Sequence, residues 1–134
     1  MKTFIKFTAL TFATLLPLME SAQAADGANW KIGRVYNRLV CNACHRLDGG
    51  KVISPYERNK ADWEVYFAAD SHDVTGKTNP SVKYYMGTDY RESIKATNKA
   101  AAKFIKMPNA VMETHVIEFY IRGAKDSDTP ARCQ

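Results

Sequence analysis

An all-α fold of about four helices, wrapped around one covalently held cofactor, is what this chain predicts. Three observations carry that expectation. Four stretches repeat apolar residues at helical spacing. Nowhere do apolar and polar residues alternate as a half-buried strand requires. The first helical stretch runs straight into Cys41-Asn42-Ala43-Cys44-His45, a pattern that fastens a cofactor to a helix end.

In the first helix, expected over 29–40, Ile32, Val35, Tyr36, Leu39 and Val40 fall at i, i+3, i+4, i+7 and i+8, one apolar stripe. Residues 46–57 read as a loop broken by Gly49-Gly50 and Pro55. A second helix is predicted over 60–69, with Asn59 as N-cap and with Trp63, Tyr66 and Phe67 on one side as packing residues. The stretch 70–80 is polar and turn-rich, and the apolar patch 82–86 is closed by Gly87. A third helix should start near Asp89, where Asp89 and Glu92 resemble a capping box, and continue through Tyr90, Ile94, Thr97, Ala101 and Phe104. It has to stop near Lys106, because Pro108 disfavours helical geometry in the residue before it. The fourth helix spans 110–122 with Met112, Val116, Phe119 and Tyr120 on its apolar face, and Gly123 suits its end. The tail over 124–134 is polar and is expected to be mobile.

The 134-residue chain opens with Lys2 and Lys6, an apolar run over 7–18, and Ala22-Gln23-Ala24, the small residues a signal peptidase reads. Residues 1–24 are therefore expected to be an export signal, leaving 25–134 as one domain in the periplasm. The apolar run falls short of the ~20 residues a membrane span needs, so no stable span is expected after cleavage. Lys2, Lys6 and Glu20 lie in the signal, and the formal charge of +5 becomes +4 for the domain. A modest positive charge suits docking to acidic protein surfaces. Nucleic acid is not expected as a partner, because the lysines are spread from Lys51 to Lys125 and their one loose group, Lys95 to Lys106, reads as a solvated helix face.

The cysteines are Cys41, Cys44 and Cys133, an odd number that argues against a simple disulfide framework. C-x-x-C-H is the attachment pattern for haem c: each thiol adds to one porphyrin vinyl group, and the next residue, His45, is set under the iron as proximal ligand. A zinc site would need further ligands at close spacing, and only Cys133, His72 and His115 are left to provide them. The second axial position decides the chemistry, since a filled site moves electrons and an open one binds small ligands. Its candidates are His72, Met86, Met107, Met112 and His115. Met107 is preferred, because it lies in a break between two predicted helices that Pro108 stiffens. Met86, followed by a glycine, is the alternative. Met112 and His115 read as helix-face packing residues, and His72 as a solvated loop residue.

On these residues the chain resembles the class I cytochromes c. Cys41, Cys44 and His45 match the attachment motif, and Gly33 lies eight residues before Cys41 as in that family's first helix. The run Met107-Pro108-Asn109-Ala110-Val111 is similar to the distal-ligand segment of small bacterial members, followed by a helix with aromatics, here Phe119 and Tyr120. The usual aromatic of the first helix is displaced by one position from Tyr36, and the 62–89 region matches no member. The resemblance implies that the first and last helices cross, that haem occupies an apolar crevice, and that the Pro55 carbonyl accepts the Nδ1–H of His45. It implies an electron carrier with periplasmic redox proteins as transient partners rather than an enzyme. Alternatives are a haem protein whose open sixth site binds gaseous ligands, or a haem subunit of an oxidoreductase complex. Cys133 keeps the last in view through an intermolecular disulfide.

Overall fold

A computed structural model describes residues 27–47, 50–72 and 79–131. The expected export signal over 1–24 and the tail thiol of Cys133 lie outside the described residues. Within them the chain is all-helical: α1 (Trp30–Tyr36), a π-helical turn (Asn37–Cys41), α2 (Asn42–His45), a 3₁₀ turn (Pro55–Glu57), α3 (Lys60–Ala68), α4 (Val82–Met86), α5 (Thr88–Ile94), α6 (Lys99–Phe104) and α7 (Asn109–Arg122). None of these helices is long and apolar enough to cross a membrane.

Two long-range contacts build the frame. The first is the crossing of α1 and α7, the most extensive helix pairing among the described residues. Gly33 makes it possible: a Cβ there would sit 2.0 Å from the His115 carbonyl oxygen and 2.8 Å from Phe119 Cβ. The buried face of α1 is therefore centred on Gly33, Tyr36, Asn37 and Val40, while Val35 and Leu39 are 37% and 41% exposed. This corrects the stripe read from the sequence. Apolarity selects Val35 and Leu39, but contact follows the side on which the backbones approach, and that side is the one lacking a Cβ. The π-helical turn then inserts a wider turn just before the cysteine motif, closed by the Asn42 N–H on the Asn37 carbonyl.

The second contact is α3 on α7. Trp63 and Phe67 each meet Tyr120 edge to face, with Trp63 and Tyr120 centroids 4.5 Å apart. These rings join Tyr36, Val40, Met112, Val116 and Phe119 in one core. The expected N-cap Asn59 makes no capping bond through its side chain; instead the Lys60 N–H donates to Asp126 Oδ1 at 2.8 Å.

The predicted third helix is two helices. Asn98 ends the run by capping a new one: its Oδ1 accepts the N–H groups of Ala100 and Ala101, both at 3.0 Å, and its Nδ2 donates to the Leu39 carbonyl. A side chain that bonds its own backbone in this way competes with helix continuation. The capping box at Asp89 does not form, because α5 starts one residue earlier and its Thr88 N–H donates to Asn109 Oδ1. The patch 82–86 is a helix capped by the Ser81 hydroxyl.

The expectation of a mobile tail fails over 124–131. Ala124 is fully buried. The Lys125 N–H donates to the Arg58 carbonyl, the Ala131 N–H to the Gly123 carbonyl, and the Ser54 hydroxyl to the Ala131 carbonyl. Gly123 does end α7, with φ −91° rather than a left-handed angle. Glycine is needed there for space, since a Cβ would stand 2.8 Å from Pro55 Cβ.

Candidate functional site

Between α2, α3, α4 and α7 lies a cavity of about 560 Å³. Cys41, Cys44 and His45 form one wall. Trp63, Tyr66, Phe67, Val116 and Tyr120 form a second, and His72, Val82, Tyr85, Met86 and Tyr90 a third. The motif cysteines and histidine, at i, i+3 and i+4, thus share one space with aromatic rings around it.

Several bonds hold the motif in place. Asn42, a spacer residue between the cysteines, is 2% exposed; its Oδ1 accepts the Ile53 N–H at 2.8 Å and its Nδ2 donates to the Ile53 carbonyl at 3.2 Å. Asn37 donates to the same carbonyl and accepts the Tyr120 hydroxyl at 2.6 Å. The loop after the motif is so bound back to the helix, and Ile53 becomes part of the cavity lining. Burial pushes the Cys41 thiol up to about 12 and the Tyr90 phenol up to about 12, so both stay neutral near pH 7. Burial also lowers the His45 imidazole below its ordinary value, and the nearby His72 acts in the same direction.

The Pro55 carbonyl, expected to take the Nδ1–H of His45, accepts the Trp63 indole N–H at 2.7 Å. A carbonyl has two lone pairs, so this bond still leaves one acceptor position. Arg58 lies over the rings of Trp63 and Tyr66, 5.3 Å from each centroid, at the edge of the cavity.

The candidates for a second axial ligand separate clearly. Met86 is 2% exposed and lines the cavity, as does His72. Met107 is not among the described residues that line it. The helix break at Met107 and Pro108 is present, but Arg91 occupies it: this fully buried side chain donates to the carbonyls of Gly87, Phe104 and Met107 and to the side-chain oxygens of Thr88 and Asn109. The expected ligand loop is thereby closed around a guanidinium, with Met107 partly buried against the core. Met112 is fully buried in the core, as read from its helix position. His115 is buried too, and its Nδ1 accepts the Asn29 N–H at 3.0 Å.

Sequence reading names His72 as a candidate but sets it aside as a solvated loop residue, whereas it lines the cavity. Its ring centroid lies 5.8 Å from that of His45 at an interplanar angle of 72°, and 4.4 Å from that of Tyr85. Polar neighbours in the sequence gave no signal of this. The signal that could have found it is Asp70, a residue able to take positive φ at a helix end, followed by Ser81 at the next helix start.

Among the described residues no three His, Cys, Asp or Glu side chains gather to bind a bare metal ion. Comparison of the chain with protein-family models, with curated proteins and with solved structures finds no match.

Proposed function

We propose that this chain is an exported haem c protein that carries single electrons between redox proteins. One observation carries the reading: two thiols and an imidazole in C-x-x-C-H spacing line a single cavity whose other walls are largely aromatic and aliphatic. Thiol, thiol and imidazole are the donor set that covalent haem requires. The volume, about 560 Å³, lies within the range of pockets that enclose cofactors.

In this reading Cys41 and Cys44 fasten the group through thioethers and His45 donates a ring nitrogen to iron. Trp63, Phe67 and Tyr120 exclude water, which stabilises an apolar macrocycle by the ordinary hydrophobic effect. Arg58 brings a positive charge to the edge of the cavity, where a carboxylate of the group would find a partner. Bound there, haem supplies reversible one-electron chemistry at iron, Fe(III) to Fe(II) and back. A donor protein delivers one electron and an acceptor protein removes it, with no bond made or broken in the chain. Lys95, Lys99, Lys103 and Lys106 are all exposed and offer acidic partners a weak, transient docking face.

The test is to produce the full chain, signal included, in a host that attaches haem to exported proteins. The purified protein is expected to keep one haem mass after denaturation, and its reduced low-spin spectrum is expected to ignore CO. A chain without covalent haem overturns the proposal. Covalent haem with prompt CO uptake replaces electron transfer by binding of gaseous ligands.

A further inference from the structure

We propose that His72 is the second axial ligand, making the centre a bis-imidazole site rather than an imidazole–thioether one. The inference rests on the haem reading above and specifies its distal side.

The first support is the separation of the two rings. Two imidazoles on opposite sides of one metal, each nitrogen about 2 Å from it, have centres roughly 6 Å apart. His45 and His72 are 5.8 Å apart, and both line the cavity.

The second support is how firmly His72 is held, in spite of its loop position. Its backbone N–H donates to the Pro80 carbonyl at 2.7 Å. Two residues earlier, the Asp70 carboxylate accepts the Ser81 hydroxyl at 2.7 Å and the Lys83 N–H at 2.8 Å. The Asn79 N–H donates to the Tyr85 hydroxyl at 2.7 Å, and the Tyr85 ring packs on the His72 ring. The two strands of the loop neck are therefore fastened to each other and to α4, so His72 stands on a rigid base, as a metal ligand must.

The third support comes from the rivals. Met107 is outside the described lining, with its carbonyl bound to Arg91. Met86 does line the cavity, but it belongs to the apolar core cluster and sits at the last position of α4, where a flexible thioether serves as packing.

The test uses the haem-loaded protein and begins with the wild type. Near-infrared magnetic circular dichroism of the ferric form is expected to show the bis-imidazole charge-transfer band. A thioether band in its place assigns a methionine and overturns the proposal while leaving the haem reading intact. His72→Ala is expected to keep its covalent haem, lose the low-spin spectrum and bind CO promptly when reduced, whereas Met107→Ala keeps the wild-type spectrum and excludes CO. A His72→Ala protein that stays low-spin and excludes CO also overturns it. A wild type lacking covalent haem defeats the underlying reading instead, so the two failures are distinguishable.

Discussion

The ring of His115 accepts the backbone N–H of Asn29, 86 positions earlier in the chain, at 3.0 Å. Asn29 is the N-cap of α1, and its own side chain serves the Lys31 N–H. The start of the first helix is thus held by the middle of the last. His115→Ala leaves a backbone donor without its acceptor and is expected to cost about 1–3 kcal/mol of stability. His115→Asn, with an amide oxygen near the position of Nδ1, should recover most of that loss. Urea unfolding of the three proteins checks it. Because His115 is not among the described cavity residues, the visible spectrum should not change.

Gly33→Ala tests the same crossing from the other side. The added methyl would meet the His115 carbonyl oxygen at 2.0 Å, which is backbone and has no rotamer with which to yield. The helices must separate, and the cost is expected at the upper end of the about 1–3 kcal/mol typical of overpacking. A melting temperature unchanged from wild type would mean that α1 and α7 do not cross here.

Asn42 links the cysteine motif to Ile53 through two bonds. Asn42→Ala leaves the Ile53 N–H without its acceptor while the Ile53 carbonyl keeps the Asn37 amide, with an expected loss of about 1–3 kcal/mol. Amide exchange should be faster at Ile53 than in the wild type.

The tail makes a fourth prediction. Asp126 accepts the Lys60 N–H at 2.8 Å and sets a negative charge at the N-terminus of α3. Asp126→Ala should cost about 1 kcal/mol, the usual value of a lost cap, and Asp126→Asn less. If Asp126→Ala unfolds at the wild-type urea concentration, the tail does not cap the helix in solution.

Much of the helical layout was legible because it depends on local pattern. The second and fourth helices agree with their predicted bounds to within a residue, for apolar spacing and a terminal glycine are local signals. Trp63, Tyr66 and Phe67 do lie together, on the cavity wall. What failed depended on partners distant in sequence. Val35 and Leu39 satisfy an apolar stripe, but Gly33 determines which side of α1 receives α7. The tail looks mobile by composition, and it is ordered by bonds to Arg58, Lys60 and Ser54. Met107 stands in a genuine helix break, yet the break encloses Arg91, whose ability to occupy it depends on carbonyls from three separate positions. His72 looks solvated until Asp70, Ser81 and Tyr85 are brought together.

The cavity draws its walls from both ends of the chain, and that separation gives the site a history as well as a shape. Cys41 and Cys44 belong to the first third of the sequence, whereas Val116 and Tyr120 lie on α7. A polypeptide made from its amino end presents both thiols long before the helix that encloses them has been synthesised. Pairing of α1 with α7 is a contact of high sequence separation, and such contacts form late and slowly. The cavity beside the thiols is therefore completed only when the last helix docks, although Cys44 itself stays exposed in the folded chain, and covalent loading of the cavity is easiest before that docking.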